Sequence, residues 1–237
     1  MERTEIRRYA RQIILPEIGL EGQEKLKHSS ILIVGLGGLG SPIAQYLAAA
    51  GVGRIGLCEY DQLEIHNLQR QTLYTTPDVG RSKLEVALEH LALVNPHIKL
   101  EAHEKLEESN ARETLVGYDL IVDGTDNIKA RYLISDTTVS LEKPCVWGGA
   151  VRWEGMASVF DHHLSLRDAF PEPPDQPDDC DTLGVHGPLL GVVGSIMASQ
   201  ALKHLLGLET LYGKLWFFDA LETKARIIKL KMPETPG

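Results

Sequence analysis

Residues 31–59 read ILIVGLGGLGSPIAQYLAAAGVGRIGLCE, and this stretch decides the fold. Ile31, Leu32, Ile33 and Val34 run unbroken into a cluster of glycines, the pattern of a strand covered on both faces in a parallel sheet. Residues 39–50 then read as a helix. Pro42 falls near its first turn, where a missing N–H costs nothing, and Gly51 lies just past its end, where glycine takes the left-handed cap. A second apolar strand, 54–59, follows at once. Strand, glycine turn, helix and strand in so few residues make a βαβ unit with a right-handed crossover.

The same alternation continues on both sides. Residues 3–14 and 19–27 read as short helices, and helix 80–94, strand 98–102, helix 109–116, strand 119–123 and helix 127–141 extend the series. Two strands, 145–150 and 155–160, lead into residues 161–185, dense in Pro and Asp, from which no core is expected. Helix 189–206 and strands 214–218 and 224–230 close the chain as antiparallel additions to one sheet edge. The expected class is α/β: a Rossmann-like doubly wound, mostly parallel sheet with antiparallel C-terminal strands and an N-terminal helical segment. It is read as one domain, 1–237, made of a helical arm (1–28), a nucleotide-binding core (29–160), a mobile crossover loop (161–186) and a C-terminal helix with strands (187–237).

Composition bounds the function. At 237 residues, with 43% hydrophobic and 24% charged, the chain suits a packed globular domain. Its 24 basic against 33 acidic residues, a net charge of −9, argue against nucleic acid or an anionic membrane as partner, since both need clustered Lys and Arg. The first ten residues are charged and no run approaches 18 apolar residues, so neither a signal peptide nor a membrane span is expected. Cys58, Cys145 and Cys180 form no Cys-x-x-Cys pair, which speaks against a disulfide framework and for a reducing, cytoplasmic location.

Gly35, Gly37 and Gly40, with Gly38 as an extra, spell G-x-G-x-x-G between strand and helix, and Glu59 ends the next strand. Amides at that helix N-terminus cradle phosphate, and a carboxylate after the second strand takes ribose hydroxyls. By itself this fits an NAD-dependent oxidoreductase as well as an ATP enzyme. Residues 61–83, DQLEIHNLQRQTLYTTPDVGRSK, add Asp61, Asn67, Arg70, Gln71 and Lys83 to the same edge. A dinucleotide pyrophosphate needs mainly amides, whereas a triphosphate calls for cations such as a forked Arg and a point-charge Lys. Asp126, in GTDN at 124–127, stands at a strand tip where a carboxylate plus substrate phosphates suit Mg²⁺; it is equally placed to cap the following helix.

The run RRYARQIILPEIGLEGQEKLKHSSILIVGLGGLGSPIAQYLAAAGVG, with NLQRQTL, DGTDN and GVVG, resembles the MoeB/ThiF family, relatives of ubiquitin-activating enzymes, over nearly the whole chain. The resemblance implies adenylation, with Mg-ATP, of the C-terminal glycine of a small ubiquitin-like sulfur-carrier protein ending in Gly-Gly, with release of pyrophosphate. On the matching positions, the glycine loop and Asn67, Arg70 and Lys83 hold phosphates, Glu59 takes the ribose, and Asp126 is the Mg-binding aspartate. It also implies a homodimer in which Arg11 enters the partner's site, and a sulfurtransferase or cysteine desulfurase acting afterwards, in molybdopterin or thiamin biosynthesis or tRNA thiolation.

The chain departs from the family in two places. The two Cys-x-x-Cys pairs of a structural zinc are missing, residues 165–168 reading SLRD, so no structural zinc is expected; an improvised set of His162, His163, Asp168 and Cys180 is the alternative. Cys180 matches a loop cysteine that some relatives use covalently. Here Asp178, Asp179 and Asp181 surround it and disfavour the thiolate, leaving open a covalent role or an idle thiol.

Overall fold

The computed structural model describes residues 1–171 and 183–233. Its sheet has eight strands: β1 (Ser30–Val34), β2 (Arg54–Cys58), β3 (Lys99–His103), β4 (Leu120–Asp123), β5 (Cys145–Val151), β6 (Glu154–Phe160), β7 (Lys214–Asp219) and β8 (Lys224–Lys229). They lie in the order β3-β2-β1-β4-β5-β6-β7-β8. β1 to β5 pair in parallel, and β6, β7 and β8 are added antiparallel. The expected doubly wound sheet with its antiparallel extension is therefore present.

The unbroken apolar run in β1 is explained by its neighbours. Ile31 and Ile33 belong to a core formed with α3 (Gly19–His28), α4 (Gly40–Ala50), α5 (Lys83–Val94) and the helix Gly187–Leu206. Leu32 and Val34 face the opposite way, into a core with α6 (Ala111–Val116) and α7 (Ile128–Ser140). With helices on both faces, no position of the run Ile31–Val34 is left facing water.

Four details correct the sequence reading. The first helix divides at Tyr9 into α1 (Arg3–Arg8) and α2 (Ala10–Ile13). Tyr9 is buried, its hydroxyl accepts from Asn95 Nδ2 at 2.8 Å, and its ring lies against Gly51, so a tertiary contact breaks the helix. The helix expected from 80 starts at Lys83, where Ser82 Oγ caps it. The stretch 161–185 does contribute to a core: Leu164, and Leu166 at the start of α8 (Leu166–Ala169), are buried with Trp147, Phe160 and Leu215.

The last helix, α9 (Gly187–Leu206), is long and apolar enough to cross a membrane by those measures alone, contrary to the expectation that nothing approached that length. Here Leu189, Val193, Met197 and Ala201 are buried in the core, and a Cβ at Gly194 would meet Pro42 Cγ at 2.6 Å. Gly194, the last residue of the GVVG motif, thus lets α9 pack closely on α4.

Candidate active site

The strand order reverses between β1 and β4, and at the carboxyl ends of these strands lies a cleft of about 580 Å³. Doubly wound sheets place ligands at this switch point. Gly35 stands at φ +86°, and a Cβ there would press on the Gly124 carbonyl at 3.0 Å. At Gly40 a Cβ would stand 2.0 Å from the Gly35 carbonyl oxygen, so this glycine lets helix and loop close on each other and does not line the cleft. Gly35, Gly37 and Gly38 do line it.

Glu59 is buried at the end of β2 and accepts backbone N–H groups from Leu36 (2.9 Å), Tyr60 (2.7 Å) and Asp61 (3.0 Å). It fixes the glycine loop to the neighbouring strand while lining the cleft. Tyr74 supports the same loop by donating to the Leu36 carbonyl at 3.0 Å.

Lys83, Arg70, Gln71 and Asp61 come together on the wall beside the glycine loop. Lys83 is only 5% exposed and sits in the first turn of α5, where the helix dipole disfavours a cation. Its ammonium is 3.2 Å from Asp61 Oδ2. Arg70 Nη1 reaches the His66 carbonyl at 3.3 Å. The buried Gln71 Oε1 has no hydrogen-bond partner. Asn67 is not brought to the wall: its Oδ1 accepts from Glu64 N at 3.0 Å, closing the turn Ile65–Asn67. Its carbonyl accepts from the amides of Arg70 and Gln71, so its place in the site is to support those two.

Asp126 is exposed on the cleft wall and, among the described residues, makes no hydrogen bond or ion pair. The cap of α7 is Asn127, whose side chain accepts from Ala130 N at 3.1 Å. The cap is thus made by Asn127, which leaves the Asp126 carboxylate uncommitted. Behind them Asp123 is buried and its Oδ1 accepts from both the amide and the hydroxyl of Thr125; burial pushes its carboxyl above the usual range, against the charge of Arg131.

Several lining residues escaped the sequence reading. Lys105 lies 4.6 Å over the Tyr60 ring, Lys129 is exposed, and Arg131 and Trp147 form a wall of their own. Lys129 and Arg131 follow GTDN within two turns, which was a usable signal; Trp147 offered none. Cys58 also lines the cleft, but burial pushes its thiol to about 11 and its Sγ is held at the Glu104 carbonyl, 2.9 Å away. Cys145 is raised as well by burial, so both behave as inert core thiols.

Arg11 does not line its own cleft. Its neighbour Gln12 donates to the Ala50 carbonyl at 3.1 Å, at the far end of α4 from the glycine loop. Cys180 lies outside the described residues. Of the improvised zinc set, Asp168 is engaged with Ser165 as a helix cap, and no group of three or more His, Cys, Asp or Glu able to hold a metal occurs among the described residues. Mg²⁺ makes a smaller demand, one or two carboxylates beside substrate phosphates, and the unpaired Asp126 meets it.

A switch-point cleft whose glycine loop faces a buried lysine and an uncommitted carboxylate defines the class: a nucleotide-binding domain of the Rossmann type, equipped for a polyphosphate. Within that class the chain belongs to the ThiF family, whose profile matches residues 9–236. It is 47% identical over 241 residues to the sulfur carrier protein adenylyltransferase of Thermus thermophilus, covering 97% of this chain and 89% of that one. It is 44% identical to the probable adenylyltransferase/sulfurtransferase MoeZ of Mycobacterium tuberculosis, covering all of this chain and 63% of that one. The adenylyltransferase and sulfurtransferase MOCS3 of Aedes aegypti is also 44% identical, over 98% of this chain and 54% of its own length. The chain therefore spans little more than half of the two-activity relatives. Among solved structures, E. coli MccB with ATP superposes with a TM-score of 0.82 at 21% identity, over 96% of this chain and 73% of that one. PaaA gives 0.80 at 22%, over 99% and 76%. These two likenesses establish the fold.

Proposed function

We propose that this protein is an adenylyltransferase that uses ATP to activate the C-terminal glycine of a small ubiquitin-like sulfur-carrier protein. The observation that carries it is the pairing of Lys83 and Arg70 beside the glycine loop with the unpaired Asp126 on the facing wall. A dinucleotide leaves those cations without a polyphosphate to hold. The name of the Thermus relative, matched almost end to end, supports the same reaction, and MccB holds ATP on the same fold.

The nucleophile is a terminal carboxylate, ionised at neutral pH with a reference pKa of about 3.3–3.7, so no general base is required. One carboxylate oxygen bonds to the α-phosphorus as the bond to the β-phosphate oxygen breaks. The products are the carrier acyl-adenylate and pyrophosphate. Lys83 and Arg70 hold the leaving pyrophosphate, the glycine-loop amides take the phosphate oxygens, and Glu59 takes the ribose. When bound, Mg²⁺ held by Asp126 would neutralise phosphate charge.

In this reading the protein works as a cytosolic homodimer, with Arg11 reaching the partner's cleft. A sulfurtransferase or cysteine desulfurase acts on the adenylated carrier afterwards.

ATP–pyrophosphate exchange tests the proposal, run with each diglycine-ended carrier from the same organism and with none. Carrier-dependent exchange is expected and identifies the pathway; binding of ATP without exchange for any carrier refutes it. Mass spectrometry of the same mixtures decides the covalent alternative: a carrier adduct on wild type, absent from Cys180→Ala, adds a covalent step.

A further inference from the structure

The far wall of the cleft holds two buried donors without acceptors. Trp147 is 6% exposed and its Nε1–H has no partner; Arg131 Nε is likewise buried and unpaired. A buried polar group left unpaired is rare in a folded protein, and two on one wall of one cleft indicate an acceptor that binds there. Arg131 is held rather than loose. Its Nη2 donates to the Thr125 carbonyl at 2.7 Å, its guanidinium lies 5.5 Å from the Trp147 ring centre, and its charge faces the buried Asp123. Gly149 makes room for it, since a Cβ at 149 would stand 3.0 Å from Nη1.

This cluster is built by the sheet. Asp123 and Trp147 are direct partners across β4 and β5, so both face α7, and Gly149 follows on the same face two residues later. The first turns of α7 lay Arg131 over them. Val151, Glu154 and Met156, on the next hairpin of the sheet, line the same cleft.

We infer that Arg131, backed by Trp147 and Gly149, is a carboxylate-binding subsite that receives the C-terminal glycine carboxylate of the acceptor and points it at the α-phosphate. The inference rests on the adenylation reading. In-line attack requires the nucleophile on the side opposite the leaving pyrophosphate. Lys83 and Arg70 stand with the glycine loop, and two anions brought together at the α-phosphate repel unless a cation stands on the nucleophile's side. A guanidinium matches a carboxylate in a two-point bond that a lysine cannot make.

The test compares the carrier protein carrying its free C-terminal acid with the same carrier as C-terminal amide. Each is bound to the enzyme in the presence of Mg²⁺ and a non-hydrolysable ATP analogue. Wild type is expected to favour the acid by about tenfold to a hundredfold, the range of a charge-assisted pair. Arg131→Gln is expected to bind both forms at the amide level with affinity for the ATP analogue unchanged, and Arg131→Lys to keep only part of the preference. Gly149→Ala, which displaces Nη1 without removing charge, is expected to lower the preference as well, and it serves should Arg131→Gln not fold. Retention of the full acid preference in the Arg131 and Gly149 variants, or loss of nucleotide affinity instead, overturns the subsite. An absence of acid preference in wild type does so too. Exchange on wild type with no carrier at all refutes the adenylation reading itself, a different result from the same protein.

Discussion

Lys83 Nζ and Asp61 Oδ2 lie 3.2 Å apart, the lysine side chain almost sealed from water and the aspartate half exposed. The pair is asymmetric: Asp61 can turn to solvent and release the lysine, whereas the sealed Lys83 stays against the cleft it lines. A phosphate arriving there replaces one anionic partner by another, so the buried ammonium is never left alone.

Replacing Lys83 by Met should therefore separate activity from stability. Exchange is expected to fall at least about a hundredfold, the scale of losing a preorganised charge contact. The melting temperature should hold or rise, since a buried cation at the positive end of α5 is removed. A matching loss of melting temperature would make Lys83 a structural residue.

Two glycines of one loop should behave oppositely. Gly40→Ala places a Cβ 2.0 Å from the Gly35 oxygen, a backbone clash that cannot relax, and is expected to cost at least about 3 kcal/mol in denaturant unfolding. At Gly37 a Cβ meets only Gln71 Nε2 at 3.7 Å, so Gly37→Ala should fold normally and show its effect in ATP affinity.

The neighbours Asp126 and Asn127 divide in the same way. Asn127→Ala removes the cap of α7 and should cost about 1 kcal/mol with nucleotide binding little changed. Asp126→Asn should leave the melting curve alone and abolish the Mg²⁺ dependence of exchange. Full exchange in that variant would remove Asp126 from the metal site.

The acid limb of stability should report Glu101. Hydrogen bonds from Lys99, Tyr118 and Arg54 hold its carboxyl at about 2, below the ordinary 4.5. A depressed carboxyl adds stability above its unfolded value and loses it as pH falls through the folded one. Wild type should thus lose this contribution between pH 4.5 and about 2, and Glu101→Gln should show a flatter melting profile across that window.

Arg11, anchored away from its own cleft, gives a mixing test. Arg11→Ala and Lys83→Ala are each expected to be inactive. Co-refolded in equal amounts, they should regain about a quarter of wild-type exchange, because in the proposed homodimer half of the dimers are mixed and each then holds one complete site. No recovery would place Arg11 outside the partner's cleft.

Much of this was legible in the chain. The apolar run of β1, the spacing of Gly35, Gly37 and Gly40, and the positions of Glu59, Arg70, Lys83 and Asp126 are local patterns, and the structure brings these residues to one cleft or, for Gly40, under it. Asn67 stands apart from that group because its side chain closes a turn, accepting the amide of Glu64, which spacing along the chain did not reveal. The 161–185 stretch was misread because its Pro and Asp content hides Leu164 and Leu166, which fill a gap beside Trp147.

The sequence by itself determined the order of strands and helices and the phosphate loop, since hydrophobic period and glycine spacing act over a few residues. Only the tertiary structure decided what stands opposite that loop. Arg131, Trp147 and Gly149 meet because Asp123 pairs with Trp147 across the sheet and α7 folds back over both. That register is a contact between segments more than twenty residues apart, set by the packing of the whole sheet and carried by no local motif.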